Sequence, residues 1–177
     1  KRVTANWEYP IATPKPEAVE RVIRMYMATV CICKEKNFAG FSYKCVDGVD
    51  SNLGMTHAVP SALVASAGYP YVDENDIGNL TAEMMLKYIS GQQVMFLEHY
   101  DHHPEWILLG EDGYIPDEFI DGKPQIKVVT SVALGGLAHG VRRNIRLAAE
   151  PAPAPSLTEL GGQLFAAVFA DKVGSLL

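Results

Sequence analysis

The sequence predicts a mixed α/β protein, with a parallel-sheet α/β segment followed by an antiparallel β segment of barrel-like character. Helical and strand-like stretches alternate three times before residue 98. Beyond it, strand-like runs succeed one another with no helical period between them. The 177 residues, 48% hydrophobic and 20% charged, are enough to bury a sizeable core.

The elements follow in order. Pro16 suits the first turn of a helix, and Glu17 and Glu20 favour its positive end. Val19, Val22, Ile23, Tyr26, Met27 and Val30 recur at three- and four-residue steps and describe one apolar face, with an end expected within residues 34–37. Residues 41–45 read as a short strand, and Val46-Asp47-Gly48 as the loop leaving its carboxyl end. Residues 60–67 read as a second helix, stopped by Gly68 in the left-handed cap position. Tyr69-Pro70-Tyr71-Val72 is an extended segment, its proline marking an edge or a strand start. Ile77, Leu80, Thr81, Met84, Met85, Tyr88 and Ile89 return to the helical period, and Gly91 closes that helix. Residues 94–97 form a compact apolar strand ending at Glu98.

Residues 106–109 and 125–134 read as antiparallel strands around a turn-rich stretch. Residues 150–155 are a Pro-Ala spacer, extended by composition. Ser156 and Glu159 make a capping box for a final apolar helix. The expected division is 1–97 as the second half of a Rossmann-like α/β domain, 98–150 as a β-rich domain, and 151–177 as spacer and helix. A start at Lys1 rather than Met reads as the interior of a longer protein.

Composition narrows the function classes. The net charge is −6, from 15 Lys+Arg against 21 Asp+Glu, and no long basic run is present, so nucleic acid is not an expected partner. No apolar stretch approaches the roughly 18 residues that span a bilayer, so no membrane is expected either. Cys31, Cys33 and Cys45 are an odd number, which fits a reducing, cytoplasmic setting better than a disulfide framework. The plain reading of these cysteines is small, buried apolar side chains.

Polar groups gather at the carboxyl ends of the expected strands, where open α/β sheets bind ligands. Asp73-Glu74-Asn75-Asp76 follows Val72, and Glu98-His99-Tyr100-Asp101-His102-His103 follows Leu97. Neighbouring parallel strands would bring Glu74 and Glu98 together, and two such carboxylates either share a proton or hold a divalent cation. The plainer reading of the first run is a solvated loop in which Asp76 or Asp73 caps the next helix. His99, His102 and His103 invite a zinc reading, but adjacent His102 and His103 face opposite sides of an extended segment, so surface or substrate contact is the reading ahead of metal. Asp47, beside Lys44, stands at another strand end. His57 reads as a polar residue at a helix start.

A longer pattern joins these pieces. Gly40-Phe41-Ser42-Tyr43-Lys44-Cys45, Pro60-Ser61-Ala62-Leu63, Ser66-Ala67-Gly68-Tyr69-Pro70, Asp73-Glu74-Asn75-Asp76-Ile77 and Leu86-Lys87-Tyr88-Ile89-Ser90-Gly91 occur in this order. In that order the stretch resembles the L-fucose isomerase and L-arabinose isomerase family, over roughly residues 37–140. The family's Gly-Ile-Pro-like turn, Glu-Gly-Asp-like triplet, helix ending in Ser-Gly and following acidic strand all have counterparts here.

The resemblance implies an aldose–ketose isomerase using Mn²⁺, in which sugar oxygens O1 and O2 chelate the ion and a proton passes between C2 and C1. Carried over by position, Glu74 and Glu98 are the acidic metal ligands and the proton-transfer pair. His139, in Gly135-Gly136-Leu137-Ala138-His139-Gly140, is the candidate third ligand. Asp47, His102 and His103 are the candidate sugar contacts, and a homo-oligomer is the expected assembly. Where the family carries a histidine after the second acid, this chain has Leu109-Gly110-Glu111-Asp112-Gly113. That departure motivates the alternative of a non-catalytic sugar-binding or assembly module.

Overall fold

A computed structural model describes residues 3–9, 14–103, 106–110, 114–120, 122–130, 139–144, 151–160 and 163–172. Helix α1 (Pro16–Lys36) has proline in its first turn and ends at Asn37, whose left-handed conformation (φ 55°) returns its N–H to the Cys33 and Lys34 carbonyls. It buries Val22, Thr29 and Cys33, one continuous stripe. Met27, assigned to the apolar face by spacing, is exposed.

Strand β1 (Phe41–Ser42) pairs in parallel with β2 (Tyr71–Val72), Phe41 opposite Tyr71 and Ser42 opposite Val72. The connection between them contains α2 (Ser51–Leu53) and α3 (Ala58–Ser66), so the unit is β-α-β. Every residue of α3 from Ala58 to Ala65 is buried, which makes it a central helix rather than an amphipathic one. Gly68, at φ 94°, turns the chain from α3 toward β2. Helix α4 (Ile77–Ser90) follows β2 and ends at Gly91, with φ 67°.

The expected strand over residues 41–45 is shorter than its apolar content suggests. After Ser42 the chain enters a π-helical turn over Cys45–Asp50, in which the Val49 N–H donates to the Lys44 carbonyl at 2.9 Å. Gly48 permits that winding, because a Cβ there would lie 3.1 Å from Lys44 Cβ.

Three antiparallel pairs follow. Strand β3 (Glu98–His103) pairs with β4 (Trp106–Gly110), β5 (Gln125–Thr130) with β6 (His139–Asn144), and β7 (Pro151–Leu160) with β8 (Gln163–Lys172). Among the described residues each sheet has two strands and no barrel closes.

Two expectations are corrected here. Residues 94–97 are not a strand: Val94 is buried and Phe96 packs on the core, while the polar stretch after them enters the sheet. Strands need a backbone partner, and Trp106 stands opposite His103 with two residues between them, so hairpin closure is entropically cheap. The second correction is the end of the chain, where residues 151–160 and 163–172 form a hairpin instead of a spacer and helix. Alternate positions of an edge strand point their N–H away from the partner, a pattern that Pro151, Pro153 and Pro155 match in spacing.

The core joins Val22 of α1, Val59, Ala62 and Leu63 of α3, Tyr43, Tyr71, Tyr114 and Ile126. Trp7 reaches it from the N-terminal segment, which Glu8 ties to β5: its N–H donates to the Pro124 carbonyl at 3.0 Å and its carbonyl accepts from Ile126 at 2.7 Å. No helix among the described residues is long and apolar enough to cross a membrane.

Candidate functional site

The β-α-β unit sends three chemically active side chains to one place. Cys45 opens the π-helical turn beyond β1, His57 stands at the N-terminus of α3, and Asp73 follows β2 directly. One ligand atom from each, sulfur, nitrogen and oxygen, lies within 4.8 Å of the other two. Cys45 and His57 are buried, and Asp73 is partly so. This is the carboxyl edge of a parallel pair, where α/β sheets place their ligands.

Both imidazole nitrogens are engaged. Nε2 lies 2.9 Å from Asp73 Oδ2, and Nδ1 lies 3.4 Å from Oδ1 of Asp50, which closes the π-helical turn. Burial, the largest single influence, opposes charge on His57, but the hydrogen bonds and negative charges of Asp50 and Asp73 together outweigh it. They push its pKa up to about 10. The ring is an imidazolium at neutral pH. Asp73 accepts a further hydrogen bond from the Tyr71 hydroxyl through Oδ1. Burial first, then the Asp73 charge, raise the pKa of that phenol, which therefore stays neutral and donating. Tyr114 packs edge-on against Tyr71, ring centroids 5.2 Å apart, and lies 6.5 Å from the His57 ring.

The residues singled out from sequence are distributed differently. Glu74 is exposed on the turn after β2, with φ 60°, beside Asn75 in the same conformation. That turn is tied to β1 through the Asn75 N–H, which donates to Ser42 Oγ at 3.0 Å. Glu98 is exposed and begins β3 opposite Gly110, so its strand neighbour is β4 and not β2. The adjacency of parallel strands that was expected to join Glu74 and Glu98 does not form. Asp47 is exposed on the π-helical turn, in an ion pair with Lys44 at 3.6 Å. His102 and His103 are exposed on β3, and the His102 ring lies 5.2 Å from that of His99. His139 begins β6 opposite Thr130; its side chain lies outside the described residues, as do Glu111 and residues 131–138.

Compared with protein-family models and with curated proteins, the chain matches none.

Donor chemistry separates the two sets. Thiolate with imidazole and carboxylate suits Zn²⁺, whereas Glu74 and Glu98 offer only the hard oxygens that suit Mn²⁺. Of the acidic run at 73–76, Asp73 is committed to His57 and Tyr71, while Asp76 caps α4, its Oδ1 accepting from the Asn79 N–H at 2.9 Å. Sequence reasoning pointed to the end of β2, where Asp73 lies, but read Cys45 as a buried apolar side chain and His57 as a polar residue at a helix start. The available signal was positional, a cysteine just after one strand and a histidine at the start of the crossover helix. A cavity of about 390 Å³ lies elsewhere, with Trp7, Tyr26, Leu63, Asp117 and Lys123 among its lining.

Proposed function

We propose that this chain belongs to a metal-dependent aldose–ketose isomerase, in which Glu74 and Glu98 move a proton between C2 and C1 of the sugar. The observation that carries the reading is the ordered run from Gly40 to Glu98, together with the exposed left-handed turn that holds Glu74 beyond a parallel strand. Backbone strain at an exposed carboxylate is a common feature of sites where geometry matters more than stability.

The chemistry asked of the residues is modest. One carboxylate removes the C2 proton, the resulting enediolate is reprotonated at C1 by the acid so formed or by its partner, and the O2 proton passes to O1 to leave the ketose. A hard divalent ion, when bound, supplies Lewis acidity toward the sugar's vicinal oxygens. Asp47, His102 and His103 are assigned to hydroxyl contacts, and His139 to completing the ion's ligands.

The test is conversion of aldopentoses and deoxyaldohexoses to ketoses by the purified protein with Mn²⁺ added. Loss of turnover by about 10²–10⁴-fold in both Glu74→Gln and Glu98→Gln is expected. Unchanged turnover in both variants rejects the assignment. The pairing of β3 with β4 favours a second reading, a sugar-binding or assembly module without catalysis. Sugar-dependent thermal stabilisation without turnover and without metal dependence would select it.

A further inference from the structure

We propose that Cys45, His57 and Asp73 hold one zinc-class divalent cation, with Asp50 and Tyr71 orienting its ligands and a fourth position left for water or a substrate oxygen. This site is separate from the carboxylates of the isomerase reading and does not depend on it.

Three different donor types converge from three elements that are distant in sequence. Ligand atoms on one tetrahedral Zn²⁺ stand about 3.3–3.7 Å apart, given Zn–S near 2.3 Å and Zn–N or Zn–O near 2.0–2.2 Å. The three donors already lie within 4.8 Å of each other. His57 Nε2 and Asp73 Oδ2, at 2.9 Å, open by only a few tenths of an ångström. The sulfur needs to move by about 1 Å at most, within reach of a side-chain rotation.

The outer partners are in place as well. A metal-bound histidine ordinarily donates its other nitrogen to a carboxylate, and a ligating carboxylate is itself hydrogen-bonded. Here Nδ1 faces Asp50 Oδ1, leaving Nε2 toward the ion. Tyr71 holds Asp73 Oδ1, leaving Oδ2 toward the ion. Cys31 is exposed, and of the three thiols only Cys45 is grouped with His57 and Asp73 among the described residues.

Three protein ligands with one open place are the pattern of a reactive zinc, whereas structural zinc is closed by four. Asp73 is the least buried of the three, its side chain 14% exposed against 8% for His57, so the open position faces the carboxyl edge of the strands.

The experiment strips the purified protein with chelator and titrates it with Co²⁺ as a spectroscopic stand-in for Zn²⁺. A sulfur-to-cobalt charge-transfer band rising to one equivalent, bleached by Zn²⁺, is expected. Cys45→Ser removes the band, His57→Gln abolishes binding, and Asp50→Asn weakens it by about 10–100-fold. Cys31→Ser and Glu74→Gln leave the band intact, so failure of this site and failure of the isomerase reading are told apart. Absence of the sulfur band in the parent protein, or its persistence in folded Cys45→Ser, overturns the proposal. The parent spectrum needs no variant to fold.

Discussion

His57 Nε2 and Asp73 Oδ2 meet at 2.9 Å across 16 residues of chain, joining the start of α3 to the end of β2. The contact puts a positive ring between two buried or half-buried carboxylates, with Asp50 on its far nitrogen. Removing the ring leaves those carboxylates facing each other out of water. His57→Leu in the metal-free protein is therefore expected to cost about 3–5 kcal/mol, far more than a surface ion pair. Urea unfolding measures it, and a loss below about 1 kcal/mol would show the ring to be dispensable.

Glu83 supplies a pH dependence of known sign. Its carboxyl is buried, with Oε2 accepting the Tyr71 N–H at 3.0 Å and Oε1 without a hydrogen-bond partner among the described residues. Burial drives its pKa from 4.5 to about 8, against the opposing influences of the Tyr71 N–H and the Lys87 charge. The folded chain thus holds this proton more tightly than the unfolded chain. Its contribution to stability is complete below about pH 4.5 and is lost as pH rises through 8. Glu83→Gln should remove that fall, seen as the difference between parent and variant melting across the window. A difference that is flat with pH contradicts it.

Asp76 tests the capping of α4. Its two oxygens accept from the Asn79 N–H at 2.9 Å and from Asn79 Nδ2 at 2.6 Å. Asp76→Ala should cost about 1 kcal/mol, and Asp76→Ser should restore most of it. Equal losses in the two variants would mean that the cap contributes nothing.

Gly40 tests the close packing of α4 on β1. A Cβ there would lie 3.0 Å from Leu80 Cδ1, 3.2 Å from Met84 Sδ and 3.3 Å from the Pro70 carbonyl oxygen. Gly40→Val adds further bulk and is expected to destabilise by about 1–3 kcal/mol. Gly40→Val combined with Leu80→Ala should recover part of the loss, because the double change vacates the space the new side chain needs. Strict additivity in that cycle would remove the packing explanation.

Much of the first 91 residues was legible. Pro16 and the Val19–Val22–Ile23–Tyr26 spacing describe α1 through interactions spanning four residues at most, and the helix ends within the expected residues 34–37. Gly68 and Gly91 punctuate α3 and α4 for the same reason, since only their own φ angles are at issue. The candidate site was legible as a location, the carboxyl edge of parallel strands, and not as a residue set. Glu74 and Glu98 were paired on the premise that two strands would be neighbours, and Glu98 instead pairs in the hairpin of β3 and β4.

What the sequence determined by itself is therefore local: helix starts, stops and apolar faces, the acidic composition, and a mixed α/β class. Tertiary structure decided which segment found a strand partner, so the polar stretch Glu98–His103 and not the apolar residues before it became β3. It also decided that the chain's last described stretch pairs as a hairpin, and that His57 sits between Asp50 and Asp73. Caps and periodicity act along one stretch of backbone, whereas ladder partners and buried charges are chosen by contacts whose chain separation leaves no imprint on neighbouring residues.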